Sequence, residues 1–173
     1  KYELNNNKNI KILNLKKNKG YGNGILEGLK LARGKVLSWT HADLQTDPKD
    51  VINAFEKFKK INNNEKIILK GKRIGRNIID FFFTACMSFI CTLIFMKKIN
   101  DINGQPKMFH RNFMKYLNNA PIDFSLDLHL LLLAKLMNFQ IIEHKVYFHK
   151  RIAGEAKGGG GNIRKRFGLI SRT

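Results

Sequence analysis

The chain has 173 residues, 43% of them apolar, which suits one globular domain with a sizeable core; no internal period is visible, which excludes a repeat array. Thirty-two Lys and Arg stand against 13 Asp and Glu, a net charge of +19 that favours anionic partners: phosphorylated ligands, an acidic membrane surface or nucleic acid. Joint enrichment in Lys, Asn and Ile, as A/T-rich coding would give, is an equally good account of the charge in the amino-terminal third. The sequence opens at Lys1 without a recognisable leader and is expected to be a fragment cut at both ends. Cys86 and Cys91 have no metal-ligand spacing and read as small buried hydrophobes in a reducing compartment.

In chain order, "IKILNL" (10–15) predicts a short buried strand and "KKNKGYGNG" (16–24) a glycine-rich turn. "GILEGLKLARG" (24–34) predicts a helix with Ile25, Leu29 and Ala32 inward, stopping at Gly34. "KVLSW" (35–39) is the next strand. A helix follows in "TDPKDVINAFEKFKKI", with Asp47 as cap, Pro48 in the first turn and Val51, Phe55 and Phe58 inward. "KIILK" (66–70) is a further strand. The uncharged run "FFFTACMSFICTLIFM" (81–96) would span about 24 Å as a helix, too short for a bilayer of about 30 Å, so a buried or interfacial helix is expected. "KMFHR" (107–111) reads as a strand entering a helix, "SLDLHLLLLAKLMN" (125–138) as an apolar helix and "QIIEHKVYF" (140–148) as a strand. The alternation predicts an α/β protein with a largely parallel sheet flanked by helices.

Ligands of open α/β sheets collect beyond the carboxyl ends of the strands. "KVLSW" delivers "THADLQTDP" there, and in an extended run His41, Asp43 and Gln45 share one face. One imidazole, one carboxylate and one amide oxygen make part of the shell of a divalent cation whose other ligands are phosphate oxygens. An equally simple role for Asp43 is to cap a turn, with His41 on the surface.

The stretch "GYGNGILEGLKLARGKVLSWTHADLQTDPKDV" resembles the middle of a family-2 glycosyltransferase of the GT-A fold. It is most like the dolichyl-phosphate mannose synthase-like and bactoprenol glucosyltransferase-like enzymes, which carry a D-x-D-L-Q-x-x-P motif. The resemblance implies a GT-A (Rossmann-like) domain, incomplete at its amino terminus, over residues 1–150, with 151–173 a basic, glycine-rich loop and tail. It implies that Asp43 and Gln45 hold a metal (Mg²⁺ or Mn²⁺) and the diphosphate of a nucleotide-sugar donor. His41 stands where the first Asp of the motif would be; an imidazole suits Mn²⁺ better than Mg²⁺ and removes one negative charge. "KGKRIGR" (70–76), "DINGQPKMFHR" (101–111) and "RIAGEAK" (151–157) resemble further loops of these enzymes in the same order, with Ala156 where a Ser is usual.

Departure of a nucleoside diphosphate needs cations to stabilise its developing charge, and Arg73, Arg76, Arg151 and Lys157 are the candidates. Asp127 and Asp101 are the candidate catalytic carboxylates. A hydroxyl acceptor would need Asp127 as a base, whereas a lipid phosphate is already ionised and would need only positioning. His129, one turn inside an apolar helix, reads as a core residue. The expected partners are a nucleotide-sugar, a polyprenyl phosphate or sugar acceptor, and an anionic membrane surface on the cytoplasmic side. A basic anion-binding module for nucleic acid or membrane is the alternative; nucleic acid is disfavoured because aromatics do not interleave with the basic clusters. A homologue impaired in catalysis, suggested by His41, is the other.

Overall fold

The computed structural model describes residues 9–43, 45–62 and 64–149. Among the described residues four α-helices, α1 (Tyr21–Leu31), α2 (Lys49–Lys59), α3 (Ile78–Phe95) and α4 (Leu126–Leu136), and two short 3-10 turns accompany four strands. The strands are β1 (Val36–Trp39), β2 (Ile67–Ile74), β3 (Lys107–His110) and β4 (Gln140–Tyr147), in the sheet order β1-β3-β2-β4.

Burial on both faces explains why β2 opens as an unbroken apolar run. Ile68 and Phe109 point into one core with Leu29, Leu126, Leu130 and Phe113; Leu69 and Met108 point into the other, with Ala54 and Phe58 of α2. α2 starts as its sequence dictates: the Asp47 carboxylate accepts the Lys49 amide at 2.8 Å, just before a first turn opened by Pro48. Its buried stripe is Ala54 and Phe58, while Val51 is half-buried and Phe55 is exposed.

The expected largely parallel, Rossmann-like sheet does not form. β3 lies between β1 and β2 and runs against both, so only the β2–β4 pairing is parallel and the sheet is mixed. The cause lies in the connection after β2. α3 leaves from the carboxyl end of β2, and the loop over 96–106 returns to that same end. There the Gly71 amide donates to the Pro106 carbonyl at 2.8 Å and the Arg73 amide to the Asp101 carboxylate at 2.7 Å. β3 therefore sets out where β2 finishes and must run backwards along it. The approach is close enough that a methyl group at Gly71 would overlap the Gln105 backbone.

Three further expectations change. Residues 10–15 form no strand and leave Ile10, Ile12, Leu13 and Leu15 exposed. The "GYGNG" segment is not a turn but the start of α1, whose Gly22 packs so tightly on the 121–123 backbone that a side chain would not fit. β2 runs four residues beyond the predicted strand, carrying Gly71–Ile74 to the rim. The remaining strands and helices lie within a few residues of their predicted places. Cys91 is buried and Cys86 half-buried, both as free thiols.

Candidate functional site

The carboxyl ends of β1, β2 and β4, the start of β3 and the first turns of α1 and α4 meet at one rim of the sheet. Two linked groups of side chains occupy it.

The first is centred on Asp127, in the first turn of α4. Its Oδ1 lies 3.0 Å from Lys107 Nζ and accepts Gln105 Nε2 at 2.9 Å, while Oδ2 accepts the Tyr21 hydroxyl at 2.9 Å. Lys107 Nζ also donates to the carbonyls of Ile102 at 2.7 Å and Gly104 at 2.8 Å, so three acceptors meet its three protons. Burial lowers the Lys107 pKa, opposed by the charge and hydrogen bond of Asp127. Burial, with Asp127 adding to it, pushes the Tyr21 hydroxyl far up, so it keeps its proton.

That proton fixes the tautomer of His41, whose Nε2 lies 3.0 Å from the Tyr21 oxygen. A carboxylate only accepts, so Tyr21 gives its hydrogen to Asp127 and takes one from His41. His41 is thus protonated at Nε2 and offers the lone pair of Nδ1. Burial is the main influence lowering its pKa; Asp127 and Asp43 pull it up, and Lys107 and Arg73 push it down. The net effect is downward, so the ring is neutral at pH 7.

The second group is centred on Asp101, which has a positive φ of 40° in the returning loop. Its Oδ1 accepts Arg73 Nε at 2.8 Å and also Nη2, and its Oδ2 accepts the Arg73 amide. Arg76 stands 4.0 Å away and donates from Nη1 to Thr84 at 2.7 Å. Burial alone would raise the Asp101 pKa, but the charge and hydrogen bonds of Arg73, with the charge of Arg76, outweigh it and hold the carboxyl below its usual value. A carboxyl depressed on folding contributes stability that is complete above the unfolded pKa, about 4, and is lost as the pH falls through the folded value. Urea melts from about pH 2 to pH 6 therefore show a falling acid limb that Asp101→Asn flattens.

The two groups are joined through the end of β4. Arg73 lies over the Phe148 ring at 5.3 Å; the next residue, His149, donates its amide to the Gln45 carbonyl at 2.7 Å and accepts Gln45 Nε2 at 3.2 Å. Asp43 Oδ1 accepts the Gln45 amide at 3.3 Å, an Asx-type turn. The structure thus brings His41, Asp43, Gln45, Arg73, Arg76, Asp101 and Asp127 to one rim. Arg151 and Lys157 lie outside the described residues, as does the whole segment 151–173 expected to form a separate loop and tail.

Among the described residues no group of three or more His, Cys, Asp and Glu is placed to hold a metal ion. His41, Asp43 and Gln45 therefore make no closed protein site for a metal among the described residues. Sequence reasoning missed Tyr21, Gln105 and Lys107. The available signal was a lysine in an apolar strand, which can be buried only beside a carboxylate.

A family model described as glycosyl transferase family 2 matches residues 1–126. The chain belongs to glycosyl transferase family 2. Among curated proteins it is similar to a dolichyl-phosphate beta-glucosyltransferase of Dictyostelium discoideum, at 28% identity over 150 residues. That alignment takes in 78% of this chain but only 45% of the relative, so the chain spans less than half the length of this relative. The match takes in Tyr21, His41, Asp43, Gln45, Arg73, Arg76, Asp101, Gln105 and Lys107 and ends one residue before Asp127.

Proposed function

We propose that the rim binds the diphosphate of a nucleotide-sugar and that the sugar passes to a lipid phosphate at the cytoplasmic face of an anionic membrane. The observation that carries the acceptor class is the state of Asp127. It is 2% exposed, and both its oxygens are committed to Lys107, Gln105 and Tyr21. A carboxylate so engaged is poorly placed to take a proton from a hydroxyl, whereas an ionised phosphate needs no base. Asp127 on this reading is a positioning residue: it holds Tyr21, and through it His41, in place.

In the transfer, the bond between the anomeric carbon and the donor phosphate breaks as an acceptor phosphate oxygen bonds to that carbon. The negative charge goes to the departing nucleoside diphosphate. Arg73 faces that charge, backed by Arg76, and Asp101 fixes the orientation of the Arg73 guanidinium. Asp43, the Gln45 oxygen and His41 Nδ1 are the groups that would share a divalent cation with the diphosphate. When bound, Mg²⁺ or Mn²⁺ would neutralise part of the phosphate charge. Because His41 is neutral, the site has one fewer negative charge than a pair of Asp would give, and Mn²⁺ is the better match.

Membrane contact rests on α3, which is long and apolar enough to cross a membrane by length and composition, yet has only 17% of its residues buried. Met87 and Cys91 pack inward, while Ile78, Phe82, Phe89 and Leu93 form an exposed stripe on the opposite side. With the exposed Lys97–Lys98 after it, the helix suits the interface plane of an anionic bilayer.

The test is incubation of the full chain with UDP- and GDP-sugars, vesicles carrying a polyprenyl phosphate, and soluble sugar acceptors. Label should partition with the lipid and be released by mild acid, as a glycosyl phosphate is. Transfer to a soluble hydroxyl acceptor alone overturns the acceptor reading. Retained nucleotide binding without any transfer would favour a homologue impaired at His41.

A further inference from the structure

A basic cavity lies beside the rim, on the far side of Asp101. It has a volume of 380 Å³, a floor of Ile99, Leu131 and Ile141, and walls bearing Lys70, Lys98, Lys135, Asn100 and Glu143. Its charges do not balance. Glu143 is the one carboxylate among the lining residues, and it serves Lys70 at 3.1 Å and the neighbouring Lys72 at 2.9 Å. Lys98 and Lys135 have no ion-pair or hydrogen-bond partner among the described residues.

Lys70 is the unusual member. It sits in the middle of β2 with its side chain 3% exposed and pairs in register with Lys107, another buried lysine. Lys107 is satisfied by three close acceptors, but Lys70 has only Glu143 and a long 3.5 Å contact to the Asp101 carbonyl. A buried ammonium has three protons to place, so one donor position of Lys70 is left for a further acceptor. Burial lowers its pKa despite the pull of Glu143, and an incoming anion would relieve that cost.

We propose that this cavity is a second phosphate-binding site, with Lys70 as its buried anchor and Lys98 and Lys135 as its mouth. Asp101 separates it from the diphosphate cradle: its carboxylate holds Arg73, and its carbonyl faces Lys70. The phosphate has two possible sources. Lys98 follows closely on the apolar helix α3, so a lipid headgroup can reach the cavity from a membrane in which α3 lies; a soluble phosphate ester offers the same oxygens.

The experiment titrates the full chain with glycerol phosphate by calorimetry and, separately, with vesicles of phosphatidylcholine with or without phosphatidic acid. Lys98 is exposed and Lys135 half-buried, so the pair Lys98→Gln, Lys135→Gln leaves the core intact; Lys16→Gln, Lys17→Gln removes equal charge elsewhere. The mouth variant should weaken binding about tenfold, and the control pair should leave it within about twofold. Loss in both arms assigns the site to a lipid headgroup, and loss with glycerol phosphate alone to a soluble ester. Absence of saturable binding in both arms, or equal loss in the two variants, overturns the proposal. UDP binding at the rim, followed in the same samples, should not change; its failure would count against the diphosphate cradle and not against this cavity.

Discussion

Replacing Asp127 by Ala is expected to cost about 3–5 kcal/mol of folding stability, enough to leave much of the chain unfolded at physiological temperature. The size comes from what remains behind. Lys107 has no exposed surface, and without Asp127 its charge keeps only two carbonyls while Tyr21 and Gln105 lose their acceptor. The converse change, Lys107→Met, strands a carboxylate that still has two donors and should cost less. Combining Asp127→Leu with Lys107→Met should be milder than Asp127→Ala alone, because the buried ion pair is removed as a unit. Urea denaturation of the three variants measures this. A loss below about 1 kcal/mol for Asp127→Ala would mean that the carboxylate is not the hub of the rim.

The second large effect concerns α3. Phe82 and Phe89, both 64% exposed, are seven residues apart and share one side of the helix. If they insert into a bilayer interface, each contributes about 1.5–3 kcal/mol of transfer energy. Phe82→Glu with Phe89→Glu is therefore expected to reduce partitioning onto anionic vesicles by at least about a hundredfold. Both side chains point away from the core, so the melting curve should not fall. Co-sedimentation with vesicles across a salt series separates this apolar term from the attraction of the lysines, which is screened over about 10 Å at 0.1 M salt. Unchanged vesicle binding by the double variant would place the membrane contact, if any, elsewhere.

Local patterns made much of this legible. The places of the helices, the Asp47–Pro48 start of α2 and the uncharged run of α3 follow from periodicity and capping chemistry, which act within a few residues. The inward faces of α1 and α2 are less legible, since only Leu29 and Phe58 of the six expected inward residues are buried, beside Leu26 and Ala54. Strand direction is a property of the connection instead. Whether the chain crosses over after α3 or turns back is decided by the docking of Asp101 on Arg73 and of Pro106 on Gly71, contacts spanning 28 and 35 residues, and no periodicity encodes them. The site divides in the same way. That His41, Asp43 and Gln45 follow β1 is legible, but they lie among bends with Asp43 accepting the Gln45 amide, not in the extended run expected. Tyr21 and Lys107 meet Asp127 only because α1, β3 and α4 converge. The "IKILNL" segment has the composition of a strand and finds no sheet partner among the described residues, since β1 pairs only with β3.

The most direct test of the diphosphate cradle is calorimetric titration of the chain with UDP and GDP, with and without Mn²⁺, beside the variant Asp43→Ala. Saturable binding of at least one nucleotide is predicted, tightened by Mn²⁺ and weakened about tenfold or more by the substitution. Binding of neither nucleotide, together with steep, salt-dependent retention on DNA, would contradict it.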